Sequence, residues 1–433
     1  MKLLALLPAA SAVLLSEAPA GTPGQVHLAY TSDPTSMSIT WTARPDTPCT
    51  KPVVRYGDSD DVVAASTLGY ATTNDTIFTA TMTGLDGDAV CYQVGCSETD
   101  QFSDSETFFP LPTDGDSFAF IAFGDMGVST AAKSTVANMA ADLAKNEYDF
   151  VLHNGDISYA RGDDGIWDEW FDLLQPAMQS TPYMVTPGNH DLLHSDSGGE
   201  DGIPYSLRFA MPDTTLGDGL GDERLYYSWV HRFVTFINLS TDSDYAEGTD
   251  QYEWLEKTLA SVDREKTPWV IVSGHKNLYC SSTYGSNDRS STTRGDAGDL
   301  TKELEPLFEK YGVDIYIGAH IHAYERTYPV AKNATAVDKD CVEEGGEDGV
   351  DVYRNGEGVV YFVLGMSGAG HLGEEWPDPE WSAVHAEEYG YAALSFANRT
   401  SVKLEFVANG GEEGQGDGPL VRDSVWVVKD QRE

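Results

Sequence analysis

Basic side chains are scarce in this sequence. There are 27 Lys and Arg against 70 Asp and Glu, which gives a formal net charge of −43. Nucleic acids and anionic membrane surfaces are bound mainly through patches of Lys and Arg, so we expect neither as a partner. The acidic residues are dispersed through a chain with 11% aromatic residues. That composition favours a folded protein over a disordered acidic tail.

Cysteine is also rare, with five residues in a chain of 433. So low a number excludes a small disulfide-stapled scaffold. No spacing among Cys49, Cys91, Cys96, Cys280 and Cys341 is typical of a zinc site. The odd count leaves at least one thiol without a partner in the same chain. We predict one disulfide among the first three cysteines and a second between Cys280 and Cys341.

Long apolar runs are lacking after the first twenty residues, so no later segment is expected to span a bilayer. The N-terminus joins one Lys to a short apolar stretch that ends in Ala18-Pro19-Ala20. This pattern predicts a signal peptide over residues 1–20, with an uncleaved anchor as the alternative. The expected localisation is secreted, or vacuolar or lysosomal through the secretory pathway. Four sequons agree with a secreted glycoprotein: Asn74, Asn238, Asn333 and Asn398.

Two regions of the chain differ in their patterning. Residues 22–112 consist of short alternating strands separated by turns, which predicts a β-sandwich with Trp41 in its core. From residue 117 onward, apolar strands alternate with helical segments at about 130–145, 251–262 and 300–311. This alternation predicts an α/β domain that opens with a βαβ unit. The expected fold class is therefore α+β/α-β, with a β-sandwich preceding an α/β domain.

Five polar clusters each follow a predicted apolar strand. They are Gly124-Asp125-Met126-Gly127, Gly155-Asp156-Ile157-Ser158-Tyr159, Gly188-Asn189-His190-Asp191, Ser273-Gly274-His275 and Gly318-Ala319-His320-Ile321-His322. In open α/β sheets, ligand sites form at the carboxyl ends of the strands. We therefore expect the five loops to meet at one edge. Each cluster alone is a weak indication of a ligand site, but the occurrence of all five in this order, each after a strand, is a specific one.

The side chains in these clusters are suited to binding two metal ions. Aspartate, tyrosine, asparagine and histidine without cysteine favour iron, manganese or zinc over a thiolate-bound metal. The candidate ligands are Asp125, Asp156, Tyr159, Asn189, His275, His320 and His322. If one carboxylate is shared, these seven side chains give two cations four contacts each and leave room for water and substrate. Two ions roughly 3.5–4 Å apart can clamp a phosphoryl group during in-line displacement.

The order of these motifs resembles that of the metallophosphoesterase superfamily. Its details resemble the purple acid phosphatases, in the larger form that has an N-terminal fibronectin-type-III-like domain. The resemblance continues through Ala323-Tyr324-Glu325-Arg326-Thr327 and into the ending from Glu388 to Lys429. It implies that residues 22–112 are the fibronectin-type-III-like domain. It implies that 117–433 are a binuclear catalytic domain, an α/β sandwich of two mixed sheets flanked by helices.

The resemblance also implies a role for each candidate ligand. It assigns Fe(III) to Asp125, Tyr159 and His322, a divalent ion (Zn, Mn or Fe) to Asn189, His275 and His320, and the bridging position to Asp156. Tyr159 would replace a histidine that many other metallophosphoesterases carry where this chain has Gly127. A phenolate on Fe(III) absorbs visible light and helps keep the iron oxidised. Fe(III) also acidifies bound water, so hydroxide persists at acidic pH.

His190 is implied to sit beside the substrate rather than on a metal. Its expected role is to bind phosphate and to donate a proton to the leaving oxygen, with a structural histidine behind the ligands as the alternative. Plant members have two adjacent histidines about nine residues after the position of His275, where this chain has Tyr284 and Gly285. Candidates to replace them are Tyr279, Tyr284, His371 and His385, with pocket wall or surface as the alternative for each.

The predicted function is a secreted acid phosphatase, a metal-dependent phosphoric monoester hydrolase that attacks small phosphate esters with metal-bound hydroxide. One alternative is a phosphodiesterase or nucleotide pyrophosphatase that uses the same centre. Another is a non-catalytic binding protein whose β-sandwich acts beside a dead catalytic domain, although the intact set of seven ligands argues against it. The sequence leaves open the natural substrate and whether the chain forms a homodimer.

Overall fold

The computed structural model of the chain describes residues 23–43, 49–57, 61–69, 76–112, 114–145, 147–213, 225–283, 295–373, 375–410 and 418–430. The predicted signal peptide, the sequon at Asn74, and Tyr284 with Gly285 lie outside these residues. Across the described ranges, no helix has both the length and the apolar character that crossing a membrane requires.

The N-terminal part of the chain is built from strands. Their bounds are β1 Gly24–Tyr30, β2 Ser36–Ala43, β3 Pro52–Tyr56, β4 Asp61–Ala64, β5 Ser66–Gly69, β6 Thr76–Thr83, β7 Val90–Cys96, β8 Gln101–Phe102 and β9 Glu106–Phe108. One antiparallel sheet has the order β1-β2-β6-β5, and the other has the order β4-β3-β7-β8 with β9 also paired to β7. Trp41 is buried against Phe78, with ring centroids 5.6 Å apart. The prediction of a β-rich first domain is confirmed.

A disulfide joins Cys49 to Cys96 across a sequence separation of 47 residues. This confirms the predicted pair among the first three cysteines. The predicted bond between Cys280 and Cys341 is wrong, because the two residues pack in different parts of the C-terminal domain. Cys280 is buried in a small apolar cluster with Ile321, Ala323 and Val363, whereas the thiol of Cys341 donates to the carbonyl of Asp338 at 3.2 Å.

Most of the remaining strands form two larger mixed sheets. Their bounds are β10 Phe118–Phe123, β11 Phe150–Asn154, β12 Tyr183–Thr186, β13 Tyr227–His231, β14 Val234–Leu239, β15 Trp269–Gly274, β16 Ile315–Gly318, β17 Tyr324–Thr327, β18 Val330–Ala331, β19 Ala336–Val337, β20 Val342–Glu343, β21 Asp351–Arg354, β22 Val360–Leu364, β23 Ser382–Ala386, β24 Gly390–Asn398, β25 Ser401–Ala408 and β26 Leu420–Val428. The first sheet has the order β12-β11-β10-β24-β25-β26-β21-β20 and the second β13-β14-β15-β16-β22-β17-β23, while β18 and β19 form a separate pair.

Helices connect many of these strands. Their bounds are α1 Thr130–Leu143, α2 Asp164–Met178, α3 Asn189–Leu192, α4 Ile203–Arg208, α5 Asp250–Ala260 and α6 Gly295–Tyr311. Ser129 caps α1, because its side chain accepts from the amide of Ala132. Buried residues of α1 and α2 share a core with the first sheet, and those of α5 and α6 share one with the second. The expected fold class is confirmed.

The central strands are parallel and buried on both faces. Strands β10, β11 and β12 pair in parallel in the first sheet, and β14, β15, β16 and β22 do so in the second. All six residues of β10 are buried, which explains its unbroken apolar sequence. The inner faces of the sheets meet through aromatic contacts such as Phe120 with Phe236, whose centroids are 5.3 Å apart. The carboxyl ends of both strand sets therefore lie at one edge of the sandwich.

One predicted glycosylation site lies inside this core. Asn238 in β14 is fully buried, where its amide donates to Tyr227 Oη at 2.9 Å and its oxygen accepts from Ser273 Oγ at 2.9 Å. A glycan cannot reach that amide in the folded chain, so the expectation for Asn238 is wrong. Asn333 and Asn398 are exposed.

The N-terminal domain contacts the α/β domain through buried polar groups. Arg208 at the end of α4 is 2% exposed and donates to Gln25 Oε1 at 2.8 Å and to Asp168 Oδ1 at 3.0 Å. Gln25 Nε2 also donates to the same Asp168 oxygen, at 2.9 Å. Buried groups of this kind are costly to leave unpaired. The hydrogen bonds among these three side chains therefore fix the position of β1 against α2.

Stability below neutral pH is expected to depend on His27, which is buried in this interface with Nε2 2.7 Å from the carbonyl of Tyr183. Burial lowers its pKa to about 4, although the hydrogen bond to Tyr183 opposes the shift. The unfolded chain takes up a proton near pH 6.5 that the folded chain resists until about pH 4. The stabilisation is therefore complete above pH 6.5 and is lost as pH falls, by about 3 kcal/mol in all.

His27→Gln keeps an N–H donor but cannot titrate. Between pH 6.5 and 4, its unfolding free energy should fall less steeply than that of the wild type, by up to about 1.4 kcal/mol per pH unit. Urea unfolding at a series of pH values measures this slope. His194→Gln, at an exposed histidine, is the control and should keep the wild-type slope. Equal slopes for His27→Gln and the wild type would contradict the prediction.

Candidate metal centre

The loops at the carboxyl ends of five parallel strands bring all the predicted site residues to one place. Asp125 follows β10, Asp156 and Tyr159 follow β11, Asn189 and His190 begin α3 after β12, His275 follows β15, and His320 and His322 follow β16. Three of these strands belong to the first sheet and two to the second. The site therefore lies where the two sheets face each other.

One set of donor atoms gathers around the hydroxyl of Tyr159. Its Oη lies 2.9 Å from Asp125 Oδ1, 3.0 Å from Asp156 Oδ2 and 3.1 Å from His322 Nε2. His322 Nε2 is also 3.4 Å from Asp125 Oδ1. Four side chains from three loops thus direct oxygen or nitrogen atoms at a common point.

A second set gathers around the ring of His275. Its Nε2 lies 3.3 Å from Asp156 Oδ1, 3.1 Å from Asn189 Oδ1 and 3.1 Å from His320 Nδ1. The donor atoms of Asp156, His275 and His320 all lie within 4.8 Å of one another. Asp156 belongs to both sets, with Oδ2 facing Tyr159 and Oδ1 facing His275. Its carboxylate is therefore placed to be shared.

Several of these residues adopt a left-handed backbone conformation that is uncommon for residues other than glycine. The φ angles are +58° at Asp125, +52° at Asp156, +54° at Tyr159 and +66° at His320. Such conformations cluster at functional sites, where the surrounding structure holds them in place. Here they let each loop reverse sharply just beyond its strand.

Two motif glycines are required because neighbouring loops touch. Gly155 has φ +78°, and a Cβ on it would lie 2.7 Å from both Gly188 N and His275 Nδ1. A Cβ on Gly188 would overlap Asp156 Oδ1. Any larger residue at either position would push apart the loops that carry Asp156, Asn189 and His275.

Backbone carbonyls orient two of the histidine rings. His275 Nδ1 donates to the carbonyl of Asn154 at 2.8 Å, and His322 Nδ1 donates to that of Gly370 at 2.5 Å. These bonds leave each Nε2 with its lone pair toward the centre, an arrangement typical of metal-binding histidines. Neither carbonyl could be predicted from the sequence, because any residue type supplies one.

Asp191 lies behind the centre and ties its loops together. Its carboxylate accepts from the amides of Asp156 at 2.9 Å, Gly188 at 2.8 Å and Ile157 at 3.2 Å. Burial, followed by the charge of Asp156, raises the pKa of Asp191 to about 8. It supports the ligand loops and is not placed among the donors.

The charges within the centre are strongly coupled. Burial alone would raise the pKa of Asp156, but the charge and hydrogen bond of His275 hold it well below its usual range. Burial would lower the pKa of His275, but the charges of Asp156 and Asp125 raise it to about 10. Burial and the same two carboxylates raise the pKa of Tyr159 well above its usual range. A cation at this point would favour the opposite protonation states, with imidazole neutral and phenol ionised.

The donor set fits the pair of cations that the sequence predicts. All of the donors are oxygen or nitrogen atoms, which suit hard or borderline ions such as iron, manganese and zinc. Asp125 and Asp156 supply anionic charge, and both are almost completely buried. Buried carboxylates next to neutral donors are stabilised when a cation sits between them.

His190 faces the centre from the side without joining either donor set. Its Nε2 is 4.0 Å from Asp156 Oδ2, and its ring centroid is 4.6 Å from that of Tyr159. The side chain is 20% exposed, so solvent and small solutes reach it. Nδ1 donates to the carbonyl of Asp196 at 2.9 Å, which leaves Nε2 directed toward the centre.

The other candidates from the sequence lie in different surroundings. Tyr279 is fully buried, and its hydroxyl donates to Glu305 at 2.5 Å, so it does not face the centre. His385 in β23 stacks on Trp376 with centroids 4.9 Å apart. His371 adjoins the site, because its Nδ1 bonds to the carbonyl of His322 at 3.0 Å.

Family models match most of the chain in sequence order. They are the purple acid phosphatase N-terminal domain over residues 23–109, the calcineurin-like phosphoesterase over 118–324, and the iron/zinc purple acid phosphatase-like protein C over 358–424. Fold and models together define a calcineurin-like metallophosphoesterase preceded by a β-rich domain.

Individual relatives agree with these models. The chain is 31% identical to human "Acid phosphatase type 7", covering 95% of this chain and 92% of the relative. It is 30% identical to "Probable inactive purple acid phosphatase 9" of Arabidopsis thaliana, covering 89% of this chain and 65% of that longer relative. The solved purple acid phosphatase PPD1 from seeds of yellow lupin (Lupinus luteus) superposes with a TM-score of 0.80 at 26% identity, over 95% of this chain and 75% of that one. The chain belongs to the purple acid phosphatase family, whose members use a binuclear metal centre.

Proposed function

We propose that this protein is an acid phosphatase that hydrolyses small phosphate monoesters at a pair of cations. The observation that carries the proposal is the position of Asp156, whose two oxygens face two separate donor sets. A carboxylate that bridges two cations holds them close enough to act on one phosphoryl group. Three of the similar relatives are named as probably inactive. In this chain, however, all seven predicted ligands contribute a side-chain atom to one of the two donor sets, which supports an active centre.

We assign the ligands as the resemblance to the purple acid phosphatases implies. Fe(III) is held by Asp125, Tyr159, His322 and Asp156, and a divalent ion (Zn, Mn or Fe) by Asn189, His275, His320 and Asp156. The presence of a phenol in only the first set supports this division, because phenolate is a strong ligand for Fe(III). When bound, the ion pair supplies an acidified water as nucleophile and neutralises charge on the phosphoryl oxygens.

The chain's own residues complete the reaction. His190 lies at the exposed side of the centre, where the leaving oxygen of an ester would depart. With Nδ1 held by the carbonyl of Asp196, a protonated His190 presents Nε2–H to that oxygen and donates its proton as the bond to phosphorus breaks. The alcohol then leaves neutral, and phosphate stays behind.

The proposal extends to where the protein works and how it is divided. A signal peptide over residues 1–20 would direct it outside the cell or to a vacuole or lysosome, and the exposed Asn333 and Asn398 are compatible with that route. Residues 22–112 form the fibronectin-type-III-like domain, and residues 117–433 form the catalytic domain.

An absorption spectrum with metal analysis tests the centre. The purified protein should hold about two metal ions per chain and show a visible band from the iron–phenolate bond. Tyr159→Phe removes only Oη and should abolish the band and reduce bound iron, because the first donor set loses its central atom. Tyr252→Phe, in α5 on the outer face of the second sheet, is the matched control. A fully metallated wild type without a visible band would contradict the Fe(III) assignment.

Rates on two substrates test the reaction. We expect para-nitrophenyl phosphate to be hydrolysed faster than the bis(para-nitrophenyl) ester at acidic pH. A faster rate on the diester would favour a phosphodiesterase or nucleotide pyrophosphatase. No hydrolysis between about pH 4 and 8 by protein that carries two metals would favour a non-catalytic binding protein.

A further inference from the structure

Asp196 contacts two neighbouring residues of the site at once. It lies in the loop between α3 and α4, outside all five sequence motifs. Its Oδ2 accepts from Asn189 Nδ2 at 2.9 Å, and its backbone carbonyl accepts from His190 Nδ1 at 2.9 Å. The proposed ligand and the proposed proton donor are therefore both tethered to one residue.

The contact with Asn189 decides which end of the amide faces the centre. Rotation of the amide by 180° exchanges its oxygen, which can ligate a cation, with its NH₂, which has only donors. In the structure Oδ1 faces His275 Nε2 at 3.1 Å. An ionised carboxylate can only accept hydrogen bonds, so a flipped amide would place two oxygens in contact at Asp196. The carboxylate of Asp196 thus stabilises the orientation that a metal ligand needs.

The backbone of the loop holds Asp196 in position independently of that contact. Its amide donates to the carbonyl of Leu193 at 2.9 Å, and the amide of Ser197 donates to the same carbonyl at 2.8 Å. Ser197 is fully buried, and its Oγ accepts from the amide of Asp201 at 3.2 Å. Ser195 Oγ donates to the other carboxylate oxygen of Asp196 at 3.1 Å. These bonds hold the Asp196 carboxylate in place, so the orientation of the Asn189 amide follows the position of that carboxylate.

We propose that Asp196 is a positioning residue that sets the affinity for the divalent cation by holding the oxygen of Asn189 toward the second donor set. The inference rests on the proposed function, since it requires a cation at that set. Hydrogen-bond partners of metal ligands typically contribute roughly 10–100-fold to metal affinity. The first donor set does not contact Asp196 through Tyr159 or Asp125, so its cation should be unaffected.

Asp196→Asn is the variant that tests the proposal. Asn has the same shape and keeps the backbone carbonyl that holds His190, but its amide can donate as well as accept and no longer selects one orientation of Asn189. We expect its Kd for Zn²⁺ to rise by about 10-fold. The measurement is a competition titration against a chromophoric chelator, on iron-loaded protein stripped of its divalent ion. At saturating Zn²⁺, kcat should return close to the wild-type value, and the visible band should be unchanged.

A matched control and a rescue separate positioning from general damage to the loop. Asp201→Asn makes the same change in the same loop at a carboxylate that contacts His194 instead, and should bind Zn²⁺ like the wild type. The double variant Asn189→Asp with Asp196→Asn exchanges donor and acceptor across the same hydrogen bond. It should recover much of the affinity that Asp196→Asn loses.

Two results would overturn the inference alone while the wild type behaves as proposed. One is Asp196→Asn binding Zn²⁺ as tightly as the wild type, and the other is Asp201→Asn weakening binding to the same extent. A wild-type protein that takes up no divalent cation beside its iron would overturn the proposed function, and this inference with it.

Discussion

Asp156→Asn should strip both cations from the protein and lower kcat by about 10³-fold or more. The reason is that each carboxylate oxygen of Asp156 faces a different donor set, Oδ2 toward Tyr159 and Oδ1 toward His275. An amide offers one neutral oxygen and an NH₂ that cannot ligate. Whichever way it turns, one donor set loses its shared ligand and the other loses anionic charge.

Metal content per chain and kcat on para-nitrophenyl phosphate measure the effect. Near-ultraviolet circular dichroism of the metal-free proteins checks that Asp156→Asn still folds. Asp314→Asn is a fitting control, because Asp314 is a mostly buried carboxylate at the opposite end of β16, paired with Arg264. That variant should lose some stability but keep both cations. An Asp156→Asn protein with two metals per chain would show that the carboxylate is not shared.

His190→Ala should keep both cations and the visible band while kcat falls by roughly 10²–10⁴-fold. The ring lies outside both donor sets, so its removal leaves every proposed ligand in place. The loss should depend on the leaving group. An alkoxide is a strong base and needs the proton, so glycerol phosphate should suffer far more than para-nitrophenyl phosphate, whose phenolate leaves readily.

The comparison of the two substrates distinguishes a proton donor from a residue that only supports the proposed ligands. His194→Ala, four residues further along at an exposed histidine, should leave both rates unchanged. If His190→Ala lowered both rates equally and also released metal, His190 would be a structural residue behind the ligands. If His190→Ala kept full activity on glycerol phosphate, His190 would have no part in the reaction.

The sequence predicts that these loops meet, because its signals are local. Each proposed ligand lies within a few residues of a strand that is buried on both faces, and such strands appear as unbroken apolar runs such as β10. Parallel strands bring their carboxyl ends to one edge, so the order of the motifs is enough to assemble the ligands. Helix α1, predicted at about 130–145 and found at Thr130–Leu143, follows from the same kind of local pattern.

The features that the sequence missed depend on contacts between distant segments. Asp196 carries no motif, and its contact with Asn189 exists only because the loop after α3 folds back. Helix α2 was not predicted. Its residues Trp167, Trp170 and Leu174 have helical spacing, but acidic residues lie between them and Pro176 lies near the end of the helix, so the apolar pattern is interrupted. The predicted disulfide between Cys280 and Cys341 was wrong for the same reason, because spacing along the chain does not reveal in which apolar cluster a cysteine is buried.

The left-handed backbone at the ligands has a consequence for how such a protein can be improved. Each of Asp125, Asp156, Tyr159 and His320 holds a conformation that costs about 1 kcal/mol or more for a residue with a Cβ. Glycine at any of them would relieve that strain and delete a proposed ligand in the same step. Directed evolution for heat resistance in metal-depleted medium would therefore select chains that abandon catalysis, and a screen for a durable enzyme has to keep the cations present throughout.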